Sequence, residues 1–319
     1  MLTTEDIRFL VVVSNHRTLA DAARTLNITP PSVTQRIQHI EKKLSLKLLQ
    51  RPSRVVSLTE EGRVLVDTGI SILEDLDELT DKLNESRGDV SGCLRVLAPL
   101  GFGNDVIAPL LGEYKKAHPR LEVELELSDK PNWANHHKWD IIIYIGHLAD
   151  SSLKMVSLAP NKRFVCASPE YLSRYGQPET PQDLKKHQCI ALRENNEDVT
   201  LWSFTHTVSG AIENVRIRPS LASNEGRVIK DWALRDLGII MRSEWDILSQ
   251  IDSGKLVRLL PDYELPNADI VALVSSAAHE RSARVTGFLS LLKDQCQKAP
   301  WLSSQSKSVS LSNYLAEDG

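Results

Sequence analysis

Residues 27–44 read NITPPSVTQRIQHIEKKL, two prolines set directly before a run with strong helical character. Proline is excluded from a helix interior but tolerated in the first turn, where the backbone N–H has no partner. The stretch therefore predicts a helix with a sharply fixed start: Thr29 as N-cap, Pro30 first, Pro31 still in the first turn. Val33, Ile37, Ile40 and Leu44 then form an inward stripe. At 100° per residue, Pro31, Ser32, Gln35, Gln38, His39 and Lys42 take the opposite face. Just upstream, RTLADAARTL predicts a shorter helix with Leu19, Ala23 and Leu26 on one face, and the small Ala20, Ala22 and Ala23 let a second helix approach closely. Helix, tight turn at Asn27-Ile28, helix is the layout of a domain that reads base edges in a major groove. A three-helix structural domain whose outer face merely meets water carries the same pattern.

Charge separates these readings. The chain has 319 residues, net charge −4, 41% hydrophobic and 25% charged residues, an ordinary globular composition for two or three domains. Residues 1–58 nonetheless hold nine Lys/Arg against four Asp/Glu, while 59–87 hold three against nine. A basic head on an acidic chain predicts an anionic partner for that head alone, double-stranded DNA. The N-terminal run Phe9 to Val13 does not read as a secretory signal, no membrane span is expected, and the four cysteines, far apart and without CxxC spacing, fit a reducing cytoplasm.

After the second helix, LQRPSRVVSLTEEG places Arg51 and Arg54 ahead of a β-like run, Val55 to Leu58. That is a wing with cations over the phosphate backbone, or else two solubilising surface arginines. Here residues 3–62 resemble the winged helix-turn-helix of the LysR-type transcriptional regulators. The shared features are an Ala-Ala helix, a Pro-x-Val-Ser/Thr helix, LE--L, LL-R and LTE-G, present here as LADAARTLNITPPSVTQRIQHIEKKL, LLQR and LTEEG. The sequence departs at Thr18-Leu19, where an aromatic usually follows Ser, at Ser45 for Gly, and at Pro52 for Thr. By motif match the resemblance implies DNA contacts from Thr29, Pro30, Pro31, Ser32, Thr34, Gln35, Arg36, Arg51 and Arg54.

From Thr59 to about Arg87 the chain reads as one helix. Leu65, Gly69, Ile72, Leu76, Leu79 and Leu83 make a heptad seam, predicting self-association unless the seam packs on its own domain. The resemblance implies a homodimer through this helix, or a homotetramer, with RNA polymerase a further candidate partner. ESRGDVSG then breaks the helix.

Beyond residue 92, strand-like apolar runs alternate with helical ones, predicting α/β with mixed sheets. The resemblance implies two lobes like a periplasmic binding protein, crossed twice by the chain. The domains expected are a winged helix-turn-helix at 1–58, a linker helix at 59–87 and a hinge at 88–92. Lobe one follows at 93–161 with 267–299, lobe two at 162–266, and a disordered Ser-rich tail at 300–319. In wording, GFGNDVIAPLL, CASPEYL, SNEGRVIKDWAL and LGIIMRSEWDI are similar to the branch that includes malate- and tartrate-responsive regulators.

The interlobe cleft is the expected effector site. APLGFGND there offers backbone amides to a carboxylate, although its glycines could serve the turn alone. Family position implies a lining of Leu100, Gly101, Phe102, Ser128, Tyr144, Trp202, Asn224, Glu225 and Met241, to which Trp133 is added. Relatives often have an arginine where this chain has Tyr144, and a hydroxyl where it has Leu100. The expected effector is therefore a flat aromatic or indole-type acid among Leu100, Trp133, Tyr144 and Trp202, unless those tryptophans belong to lobe core. A C4 hydroxy-dicarboxylate is the alternative. No GxSxG, P-loop or HExxH is present, and His136-His137 with Asp140 reads as a solvated cluster. No enzyme activity, metal or cofactor is expected. The rival class is a cytoplasmic small-molecule-binding or catalytic α/β protein.

Overall fold

The computed structural model describes residues 1–50, 55–85, 90–130, 138–146, 153–194, 199–274 and 282–298. The head comprises α1 (Thr4–Ser14), α2 (Leu19–Thr25), α3 (Pro30–Leu44) and α4 (Glu60–Glu85). Each of the first three starts on a threonine. Thr3 and Asp6 make a reciprocal capping box, and Thr18 and Thr29 accept from Asp21 and Ser32 amides. Asn27 adopts a left-handed conformation in the turn between α2 and α3, and Ser45 does the same at the end of α3. At Ser45, where a glycine is usual, the chain still makes the helix stop. Phe9, Leu10, Val13, Ala22, Ala23, Val33, Ile37, Ile40, Leu48, Leu49 and Val66 form the core.

Two expectations change here. The β-like run Val55 to Leu58 is no strand: it reduces to one antiparallel bridge, Leu49 with Leu58, joined by Gln50 N–H to Ser57 carbonyl. The seam of α4 divides. Leu65 packs on the head core, and a Cβ at Gly69 would press into the Ile7 side chain on α1. Ile72, Leu76 and Leu79 are exposed. The first two seam positions thus serve the domain's own packing. Gly62 of LTEEG is required for a similar reason: a side chain there would collide with the Leu48 carbonyl.

The remaining described residues form, in order, β1 (Gly92–Ala98), α5 (Leu100–Phe102), a π-helical turn (Gly103–Ile107), α6 (Ala108–Ala117), β2 (Leu121–Leu127), β3 (Ile141–Ile145), β4 (Lys154–Ala159), β5 (Arg163–Ala167), α7 (Pro169–Tyr175), β6 (Cys189–Leu192), β7 (Leu201–His206), β8 (Ile212–Arg216), β9 (Pro219–Ser223), α8 (Gly226–Leu234), β10 (Ile239–Ser243), α9 (Glu244–Asp252), β11 (Val257–Leu259), β12 (Tyr263–Glu264), β13 (Ile270–Val274) and α10 (Ala283–Gln297). One sheet runs β2-β1-β3-β13-β4, parallel among its first three strands and antiparallel around β13. A second runs β11-β5-β10-β6-β9, and a small third β12-β7-β8. The first sheet belongs to one lobe and the other two to the second. The chain passes between lobes after β4 and returns before β13.

Asn161 ties the two crossings together. Its Nδ2 donates to the Ala268 carbonyl (2.8 Å) and to Ser243 Oγ (3.1 Å). The apolar stretch NVRIRPSLAS splits into β8 and β9, which join different sheets. Strands β4, β7 and β12 are additions to those expected from the sequence. No described helix is long and apolar enough to cross a membrane.

Candidate nucleic-acid interface and ligand cleft

On α3 the inward stripe Val33, Ile37 and Ile40 is fully buried, with Leu44 packed at its end. That burial leaves Thr29, Pro30, Pro31, Ser32 and Gln35 exposed, together with Gln38, His39 and Lys42. The Thr29 and Ser32 hydroxyls are 2.8 Å apart, completing the cap. Two of the expected contacts have partners within the head. Thr34 is half-buried and its hydroxyl donates to the Pro30 carbonyl (3.2 Å). Arg36 turns back to α1, its guanidinium 4.6 Å from the Phe9 ring centroid and Nη2 donating to the Glu5 carbonyl (3.2 Å). Both side chains brace the helix. Arg51 and Arg54 lie outside the described residues.

Glu41 is a residue that sequence reasoning does not single out. Its buried carboxylate accepts the Leu48 and Leu49 amides (2.9 and 3.4 Å) and pairs with Lys47 Nζ (3.1 Å). Burial pushes this carboxyl up, but those two amides and Lys47 outweigh it and hold it below the usual range. Asp6 is held low in the same way, burial being outweighed by Lys43 (2.9 Å) and Thr3. The motif residue Glu41 thus fixes the turn that follows the reader helix.

Among the described residues a cavity between the lobes adjoins one in the second lobe. The smaller, about 40 Å³, is lined from the first lobe by Leu100, Gly101, Phe102, Ser128 and Ile145, and from the second by Asn224, Gly226 and Trp245. The larger, about 210 Å³, is lined by Trp202, Met241, Arg163, Ser203, Leu265 and Asn267, among others. Leu192, Glu194, Arg242 and Ser243 line both. This shared wall is absent from the lining expected by family position.

Arg242 is buried at 6% exposure and leans on Gly226, where a Cβ would collide with its guanidinium. Its Nε donates to Asp246 (2.8 Å), which also holds Lys230. Arg163 pairs with Glu194 at 3.4 Å. Arg227 of the second lobe pairs with Asp105 of the first, bridging the cleft. The glycines of GFG divide: Gly101 faces Trp245, whereas a Cβ at Gly103 would strike Leu127, so Gly103 permits close packing of helix on sheet.

Leu100, Gly101, Phe102, Ser128 and Asn224 therefore line the smaller cavity, and Trp202 and Met241 the larger. Glu225 instead caps α8, accepting from Arg227 N–H (3.1 Å). Tyr144 lines neither of these two cavities: it is buried with Leu97, Trp139, Ile142, Val271 and Leu273. Successive strand residues face opposite ways, so it is the next residue, Ile145, that meets the cleft. Trp202 is 2% exposed within the second lobe's core, its Nε1 donating to the Val199 carbonyl (3.2 Å). Trp133, His136 and His137 lie outside the described residues. Among the described residues no His, Cys, Asp or Glu cluster could hold a metal. Burial raises the Cys166 and Cys189 thiols to about 12, leaving neither as a nucleophile.

Comparison with known proteins gives two family matches. Residues 4–63 match the bacterial regulatory helix-turn-helix protein, lysR family, and residues 87–297 the LysR substrate binding domain. The HTH-type transcriptional activator TtdR of Escherichia coli strain K12 is 33% identical over 294 residues, covering 92% of this chain and 94% of that protein. The HTH-type transcriptional regulator DmlR of the same strain is 32% identical over 281 residues, 88% and 91%. Among solved structures, the full-length virulence activator AphB of Vibrio cholerae has TM-score 0.57 at 24% identity, covering 92% and 99%, a likeness of fold. CrgA from Neisseria meningitidis, a LysR-type transcriptional regulator, has TM-score 0.56 at 26% identity with the same coverage.

Proposed function

The chain belongs to the LysR family of DNA-binding transcriptional regulators, proteins that carry an effector-binding domain and are not enzymes, and from that premise we propose that it senses a C4 hydroxy-dicarboxylate in its interlobe cavities. The observation that carries this reading is Arg242. The expectation of an aromatic acid rested on the arginine missing at Tyr144, and a cation reaches the cleft from β10 instead. Arg163 lines the larger cavity too, so two guanidinium groups, paired with Glu194 and Asp246 in the folded chain, could turn to the two carboxylates of an effector. Amides at the start of α5 and α8 flank the smaller one. Of the expected aromatic walls, Tyr144 is turned away. The resemblance to malate- and tartrate-responsive regulators supports the same choice.

A second reading retains an aromatic acid, favoured by Trp202, Met241 and Leu265 in the wall of the larger cavity. Thermal shift of the full chain separates the two. Succinate, malate or tartrate should raise the melting temperature while benzoate and indole acetate leave it unchanged; the reverse result removes the dicarboxylate reading.

On DNA, Thr29, Pro30, Pro31, Ser32 and Gln35 form the reading face, extended by Gln38, His39 and Lys42, with Arg51 and Arg54 as phosphate contacts. The exposed Ile72, Leu76 and Leu79 support a homodimer through α4, the unit from which a tetramer is built. Acting in the cytoplasm, the assembly inserts α3 into successive major-groove half-sites, and effector binding changes the lobe angle and so the spacing of the heads. Gln35→Ala should relax sequence preference, whereas Arg54→Ala should weaken all DNA alike. Equal behaviour of the two variants in gel shifts at several salt concentrations would refute that division.

A further inference from the structure

One residue that lines the smaller cavity carries a polar group with no partner among the described residues. Trp245, on α9 of the second lobe, lines this cavity; its Nε1 is fully buried and has no hydrogen-bond partner among the described residues. Trp202, by contrast, donates to a carbonyl. An indole N–H can only donate, and a buried donor without an acceptor is costly enough to be rare. The same ring also touches the other lobe. It meets Phe102 edge to face, centroids 5.1 Å apart at 79°, and its Cη2 lies 3.4 Å from where a side chain at Gly101 would begin. Trp245 therefore touches the opposite lobe with its benzene end while its N–H remains unsatisfied.

We propose that Trp245 is the specificity-determining contact for the effector, its indole N–H donating to an oxygen of the bound acid. The Phe102 contact then makes recognition of that oxygen and approach of the two lobes a single event. This rests on the reading of the cleft as an acid-binding site.

Isothermal titration of the full chain with succinate, malate, tartrate and benzoate tests it, using wild type, Trp245→Phe and Trp232→Phe. Trp232, packed on α8 against the second lobe's core, serves as control. The acid that binds wild type should bind Trp245→Phe about ten- to a hundredfold more weakly, the cost of a hydrogen bond to a charged group. Trp232→Phe should bind within about twofold of wild type. Trp245→His, which keeps a ring N–H, should recover part of the loss.

Binding to Trp245→Phe within about twofold of wild type overturns the proposal while leaving the acid site standing. If no acid binds wild type, the proposed effector class fails and this inference with it. Should Trp245→Phe not fold, the native protein decides by indole ¹⁵N–¹H resonances. An acid that binds while all six tryptophan signals stay fixed overturns the proposal. One signal moving on saturation, and displaced in Phe102→Leu, supports it.

Discussion

The reader helix and the effector cleft solve opposite problems. On α3 the polar groups face outward and the apolar stripe is buried, so the surface is complete before any partner arrives. In the cleft the charge is inside: Arg242, in a wall shared by two cavities, pairs with Asp246, which also holds Lys230, leaving one positive charge in excess. A binding surface made ready in this way favours discrimination among DNA sequences, because the cost of ordering it is met on folding. Charges buried against one another but beside a cavity favour response, because an incoming anion changes their balance.

Removing Arg242 should separate the two regions most sharply. Arg242→Ala leaves Asp246 with Lys230 alone and should destabilise the lobes by about 3 kcal/mol and abolish acid binding, read by calorimetry, with gel shifts of DNA retained. The converse is Gly62→Ala, which drives a methyl into the Leu48 carbonyl. It should cost the head about 2 kcal/mol and remove DNA binding, while acid binding by the same preparation persists. Gln35→Ala should change neither melting transition, yet should lose about 1–2 kcal/mol of discrimination between operator and scrambled duplex.

The smallest effect concerns protons. Asp6 and Glu41 are held below their unfolded values, so their contribution is complete above about pH 5 and declines as acid protonates them in the folded state. The head's melting temperature should fall from pH 5 to pH 3, and Glu41→Gln should flatten that slope by about 1 kcal/mol. A slope unchanged in Glu41→Gln would show that the carboxylate is not what secures the turn.

How far each region can be read from sequence follows from how it is built. Thr29, the two prolines and the stripe Val33, Ile37, Ile40 lie within one helix, so spacing alone orients every outward residue. Arg36 escapes that logic because its partners, Glu5 and Phe9, come from α1. In the cleft, Leu100, Ser128 and Asn224 are placed by resemblance, but IIIYI is apolar on both faces and carries no phase, so Tyr144 falls on the wrong side. Arg242 looks like an ordinary strand residue because Gly226 and Asp246 give it its place, and only the folded sheet assembles them. Strands β4 and β7 are lost for a related reason: KMVSLA and LWSFTH mix polar and apolar residues over too short a run to declare a period.

The bare backbone of Gly69 under Ile7 acts as a key. Sliding α4 by one residue would rotate it by about 100° and present Thr68 or Ile70 to the same spot, where a Cβ presses on the Ile7 methyl. The head therefore has a single angular setting on its long helix. Torque applied along that helix is delivered to the reading face without backlash.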